Sequence, residues 1–164
     1  MATNLVEIWI AKDALSTMRQ LADDKFPLET GGMLVGYLSE ANVPVVTSVI
    51  GPGPNARHGR YKFTPDGKYQ QEILESIFQQ TGYRETYLGD WHTHPRGSAA
   101  LSYLDKCTLA SIAHEPQSQI SHPIMAVLGD GKTDWVLSAV RFDSTKKRLF
   151  FNKHNVVNLM PIYY

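Results

Sequence analysis

Two histidines separated by a single residue stand in the segment Gly89-Asp90-Trp91-His92-Thr93-His94-Pro95, and Ser102-Tyr103-Leu104-Asp105 follows a short loop. On an extended strand, side chains two apart leave the same face, so His92 and His94 stand side by side with their bases about 7 Å apart. Two imidazoles at that spacing can converge on one metal ion, while Trp91 and Thr93 turn to the opposite face. Pro95 closes the strand, 96–101 is a loop, and Ser102 has the chemistry of a helix N-cap. Asp105 is then the third helical residue, where the positive end of the helix dipole favours the ionised carboxylate that a metal ligand requires. Ser102-x-x-Asp105 also reads as a capping box, and the two roles are compatible because the cap aims the carboxylate. Two histidines and one carboxylate leave one corner of a tetrahedron open, the pattern of a catalytic zinc site and not of a closed structural one. Zinc lowers the pKa of water admitted there to about 7, and a carboxylate is wanted nearby to carry the proton to a leaving amine. Glu29, in Glu29-Thr30-Gly31-Gly32, is the candidate, at the mouth of a strand whose glycines allow close backbone approach.

The elements that must hold these residues are legible in the hydrophobic periodicity. Residues 5–10, 30–38 and 43–50 read as strands, the last two joined as a hairpin by turn residues 39–42. Residues 13–24 carry Ala14, Leu15, Met18, Leu21 and Ala22 at helical spacing, and Phe26-Pro27 ends that helix. Pro65-Asp66 opens a second helix reaching about Gln80, with proline at its first position and Tyr69, Ile73, Leu74, Ile77 and Phe78 on its apolar face. A short strand at 61–64 precedes it. Residues 87–94 read as the histidine-bearing strand and 102–114 as the third helix. Strands at 123–128 and 135–142 flank the hairpin signal Gly129-Asp130-Gly131-Lys132, and another short strand is expected at 148–151. The apolar segment 156–164 contains a proline and is left open between packing on the body and meeting a partner. The mixed order of hairpins and helices predicts one α+β domain over 1–164.

The loop 51–60, Gly51-Pro52-Gly53-Pro54-Asn55 and onward, reads first as exposed and alternatively as a flap that clamps an extended substrate tail by strand addition. Asp90 shares the histidine face, where it either orients a ligand imidazole or is simply solvated. Cys107 reads as a small buried apolar residue, and His58, His114, His122 and His154 lack ligand spacing. Lys146-Lys147-Arg148 reads as a solvated turn. With 164 residues, 43% hydrophobic and 20% charged, the chain has the composition of an ordinary globular protein. Sixteen basic residues balance sixteen acidic ones, which argues against a broad cationic face for nucleic acid or for an acidic membrane surface. The lone cysteine excludes a disulfide framework and any cysteine-based zinc finger. No signal peptide and no apolar run of membrane length is read, so a cytoplasmic protein is expected.

Glu29, then His92-x-His94-Pro95, then Ser102-x-x-Asp105 together resemble the JAMM motif of MPN-plus metalloproteases. The flanks Glu29-Thr30-Gly31-Gly32-Met33-Leu34-Val35-Gly36 and Gly89-Asp90-Trp91-His92-Thr93-His94-Pro95 are similar to its compact prokaryotic JAB branch. The resemblance spans about 26–140, with every motif position present. It implies an MPN domain, a cytidine-deaminase-like α/β sandwich whose mixed sheet is flanked by helices. It also implies a zinc-dependent peptidase or isopeptidase cutting after the C-terminus of a ubiquitin-like or similarly conjugated protein. By that match His92, His94 and Asp105 are the zinc ligands, Glu29 is the general acid/base, and Ser102 stabilises the oxyanion. Small bacterial members resembling this one act as deconjugases in antiphage operons beside E1/E2-like enzymes. The chain is too short to carry both ubiquitin-gripping insertions of the larger relatives. Alternatives are a metal-free MPN scaffold, or a JAMM amidohydrolase acting on a small molecule or a sulfur-carrier-protein adduct. A zinc nucleoside deaminase fails on ligand count, because that chemistry needs His-x-Glu and Pro-Cys-x-x-Cys.

Overall fold

The computed structural model describes residues 6–130, 134–144 and 155–164. Its first half contains β1 (Val6–Ile10), α1 (Lys12–Lys25), β2 (Gly31–Leu38), β3 (Pro44–Ile50), β4 (Arg57–His58), β5 (Phe63–Thr64) and α2 (Gly67–Gln80). Its second half contains β6 (Thr86–His94), α3 (Tyr103–His114), β7 (Ile124–Asp130), β8 (Trp135–Phe142) and β9 (Val156–Tyr163). Among the described residues β4 and β5 pair only with each other. The remaining strands form one mixed sheet in the order β1-β3-β2-β6-β7-β8-β9. The α+β expectation holds.

The sheet differs from an open layer in closing on itself. The segment left open by its sequence becomes β9, antiparallel to β8 and parallel to β1, with Ile8 opposite Pro161. Proline contributes no N–H to that ladder, yet Leu159 of β9 is buried with Ile8, Trp91 and Ala139. Leu159→Ala therefore lowers stability by about 2–5 kcal/mol. Urea unfolding reads this as a lower midpoint at unchanged slope.

Helices cover the sheet on both faces, and β7, between β6 and β8, records this in its side chains. Ala126 and Leu128 join the core formed with Ala14, Leu15, Met18 and Ala22 of α1. Met125 and Val127 join a second cluster with Leu109 of α3. A strand covered on both faces reads as a continuous apolar run, which is how this one looks in sequence.

α2 departs from its expected pattern. It starts at Gly67 with Asp66 as N-cap, so Pro65 precedes the cap and does not occupy the first helical position. The Asp66 carboxylate accepts from the Tyr69 N–H at 3.2 Å, which satisfies a donor that the helix itself leaves unpaired. Tyr69 and Phe78 are exposed; the buried residue of this helix is Gln70, whose amide donates to the Gly51 carbonyl at 2.9 Å. The expected strand at 61–64 shrinks to Phe63–Thr64. The expected strand at 148–151, the Lys146-Lys147-Arg148 turn, His154 and part of the Gly129–Lys132 hairpin signal lie outside the described residues. Asp130 and Trp135 on either side of that signal are paired, as a hairpin requires.

Candidate metal centre

β6 runs between β2 and β7, and its alternation sends Trp91 and Thr93 into the α1 side of the sheet, at 1% and 0% exposure. His92 and His94 project from the other side. Thr93 donates its N–H to the Thr30 carbonyl at 2.9 Å and accepts the Thr30 N–H on Oγ1 at 3.0 Å. That buried double link fixes Glu29 at the start of β2 against the histidine strand. Gly31 faces His92 across the pair. A side chain there would strike the Trp91 carbonyl and come within 3.0 Å of His92 Cα, so only glycine lets the strands approach this closely.

The three expected ligands converge. His92 Nε2 and His94 Nε2 are 3.0 Å apart; His92 Nε2 lies 3.1 Å from Asp105 Oδ1, and His94 Nε2 lies 3.3 Å from Asp105 Oδ2. Tetrahedral bonds of about 2.0–2.1 Å place ligand atoms about 3.3 Å apart, so two imidazole nitrogens and a carboxylate at these separations fit one metal ion. Among the described residues, these three form the group able to do so. His94 is oriented from behind, its Nδ1 donating to the Ser98 carbonyl at 3.0 Å and leaving Nε2 for the cluster. Ser98 is held in turn where Gly129 presents no Cβ to the passing Ser98–Ala99 backbone.

Asp105 is aimed by the expected capping box. Ser102 N–H donates to Asp105 Oδ2 at 2.7 Å, and Asp105 N–H donates to Ser102 Oγ at 3.1 Å. Burial works to raise the Asp105 carboxyl, but hydrogen bonds with both imidazoles hold it far below the usual carboxylate range. Its hydrogen bond to His94 in turn raises that imidazole. The carboxylate is thus ionised at neutral pH, as ligation requires.

Glu29 borders the same space. Burial pushes its carboxyl above the ordinary glutamate value, against the pull of His92 and His94. Its backbone is gripped by the 51–60 segment, which is therefore not wholly a free loop. Glu29 N–H donates to the Gly59 carbonyl at 2.8 Å, and His58 Nδ1 donates to the Glu29 carbonyl at 3.0 Å. His58 has a positioning contact that its isolated place in the sequence does not signal.

Two clefts share this centre. One, of about 570 Å³, is lined by Glu29, Arg60, Tyr61, His94, Arg96 and Ser102. The other, of about 750 Å³, leads from Glu29, His92 and Asp105 toward Met33, Asp90 and Met125. Asp90 is not simply solvated: its Oδ1 accepts from the Tyr87 hydroxyl at 3.0 Å. Burial pushes the Asp90 carboxyl up to about 6, opposed by Tyr87 and His92. Cys107 is half-buried on α3 and outside the ligand group. His114 and His122 are satisfied by the carbonyls of Ala110 and Phe142. No helix of the described residues is long and apolar enough to cross a membrane.

The chain matches the family model described as prokaryotic homologs of the JAB domain over residues 11–142. It is 35% identical to a probable metalloprotease of Sinorhizobium fredii, over 89% of this chain and 90% of that protein. It is 29% identical to a CD-NTase/cGAS isopeptidase of Escherichia coli, over 72% of each. It is 30% identical to a protein of the same description from Enterobacter hormaechei, over 68% of this chain and 61% of that one. In three dimensions it is similar to the solution structure of a Desulfitobacterium hafniense protein, with TM-score 0.69 and 18% identity over 96% of this chain and 92% of the other.

Proposed function

Because the chain belongs to the family of prokaryotic homologs of the JAB domain, we propose that it is a zinc-dependent isopeptidase hydrolysing the amide bond that follows the C-terminus of a ubiquitin-like or similarly conjugated protein. The observation that carries this reading is the meeting of His92, His94 and Asp105 within bonding range of one ion, at a cleft also lined by Glu29. The metalloprotease and isopeptidase descriptions of its relatives support the chemistry. The isopeptidase relatives also support a protein conjugate as substrate; that E1/E2-like enzymes of an antiphage system make the conjugate is part of the proposal and rests on the family resemblance alone. Family membership supports the MPN, cytidine-deaminase-like description of the fold.

In this reading His92 Nε2, His94 Nε2 and the Asp105 carboxylate hold the zinc. When bound, the ion supplies Lewis acidity toward the scissile carbonyl. Glu29 takes the proton of the attacking water on its carboxylate and delivers it to the amide nitrogen as the C–N bond breaks, releasing a carboxylate and an amine. The Ser102 hydroxyl accepts the Asp105 N–H and keeps its own hydrogen to donate to the developing oxyanion.

Ser102→Ala separates the two duties of that serine. Loss of the cap lowers stability by about 1 kcal/mol, and loss of the oxyanion donor lowers kcat by about 10²-fold. A variant that loses stability alone would assign Ser102 to capping only. The functional reading is tested by incubating zinc-loaded protein with a ubiquitin-like protein joined through its C-terminus to a lysine side chain. Mass spectrometry should show the free C-terminal carboxylate and the free lysine, with none formed in chelator. An intact conjugate, or release that chelation leaves untouched, would contradict it.

A further inference from the structure

Hydrolysis as described above leaves one carboxylate of the cleft without a task. β2 pairs Leu34 with Gly89 but Val35 with Tyr87, so Leu88 is an extra residue on β6. Strict alternation would send Tyr87 and Asp90 to opposite faces; the bulge returns them to one face. There the Tyr87 hydroxyl holds Asp90 Oδ1 at 3.0 Å. The neighbours of Asp90 across the sheet are Met33 on β2 and Met125 on β7. Both methionines line the cleft with Asp90, and Phe63 adds a further apolar wall.

The slot thus begins at the metal-ligand cluster and continues past Asp90, which stands about 7 Å from His92 along the strand. Lys62 also lines this cleft, but among the described ion pairs neither it nor any other lysine or arginine neutralises that carboxylate. A carboxylate set below the surface is costly unless an opposite charge meets it. Thioether and aromatic walls welcome an aliphatic stem.

We propose that this slot is a specificity subsite for a lysine or arginine side chain on the acyl side of the substrate's scissile bond, with Asp90 as the residue that recognises the cation. The methylenes of such a side chain would lie against Met33 and Met125, which line the slot with Asp90. Tyr87 is the positioning residue, holding one carboxylate oxygen and leaving the other for the cation. The word substrate rests on the hydrolase reading; the binding of a cation does not.

The test uses zinc-loaded protein and a probe that needs no turnover. n-Hexylammonium is titrated against its neutral isostere n-hexanol while the methionine methyl signals are followed by NMR. The ammonium should shift the Met33 and Met125 signals with a Kd at least tenfold below that of the alcohol, and Asp90→Asn should erase the difference. In parallel, a peptide library should show at least tenfold preference for lysine or arginine beside the cut, lost in Asp90→Asn. Equal binding of ammonium and alcohol by the wild-type protein overturns the subsite without recourse to any variant. A preference that persists in Asp90→Asn overturns it as well. Selective ammonium binding by a protein that cleaves nothing upholds the subsite and overturns the hydrolase reading.

Discussion

Glu29→Gln should leave zinc bound and lower kcat by about 10³-fold, within the range expected when a positioned general base is removed. The loss corresponds to about 4 kcal/mol of transition-state stabilisation. Glutamine keeps the size and polarity of the side chain but cannot take a proton from water at neutral pH. The substitution is clean because Glu29 is placed by its backbone: Gly59 and His58 hold its N–H and carbonyl, and Thr30 is tied to Thr93. None of those contacts involves the carboxylate. Single-turnover kinetics with measured zinc content decide the matter. Unchanged kcat at full zinc occupancy would remove Glu29 from proton transfer.

His92→Ala should abolish activity by removing the ion. On the proposed reading it deletes a direct ligand, so the loss of zinc affinity should exceed the roughly 10–100-fold that changes to outer-shell partners cost. Zinc after dialysis should fall from about one equivalent toward none. The fold should survive, because Asp105 keeps its capping box with Ser102 and its contact with His94. Asp105→Ala is less informative, since it disturbs the helix start along with the ligand set. Elemental analysis alongside circular dichroism separates the outcomes. Retained zinc with retained activity would exclude His92 from the metal site; lost ellipticity would show a structural role instead.

The parts of this fold legible in sequence are those where a local rule acts alone. β8 matches its expected span, and the Ser102 cap falls where Ser-x-x-Asp places it. The convergence of His92, His94 and Asp105 follows from strand alternation and one helix start, with a short loop between them. What stayed hidden depends on distant partners. β9 is an apolar segment with a proline until β1 and β8 arrive on its two sides. The grip of His58 on Glu29 joins residues 29 positions apart, and no spacing rule relates them. The meeting of Tyr87 with Asp90 requires the bulge at Leu88, and alternation alone gives the opposite answer. Gly89 beside it carries φ +150° and lies where a Cβ would strike the Ile124 backbone, so a glycine inside a strand pattern was the available signal. α2 shows a different limit. Helical periodicity finds the helix, yet Tyr69 and Phe78 of its apolar stripe are exposed, Ile73, Leu74 and Ile77 are half-buried, and the buried residue is Gln70, bonded to the Gly51 carbonyl.

The account stands on three side chains sharing one zinc ion, and anomalous diffraction at the zinc absorption edge from crystals of the zinc-loaded protein tests that most directly. It predicts one strong peak about 2 Å from His92 Nε2, His94 Nε2 and an Asp105 carboxylate oxygen. A peak coordinated by other residues, or none at that position in protein shown to be active, would contradict it.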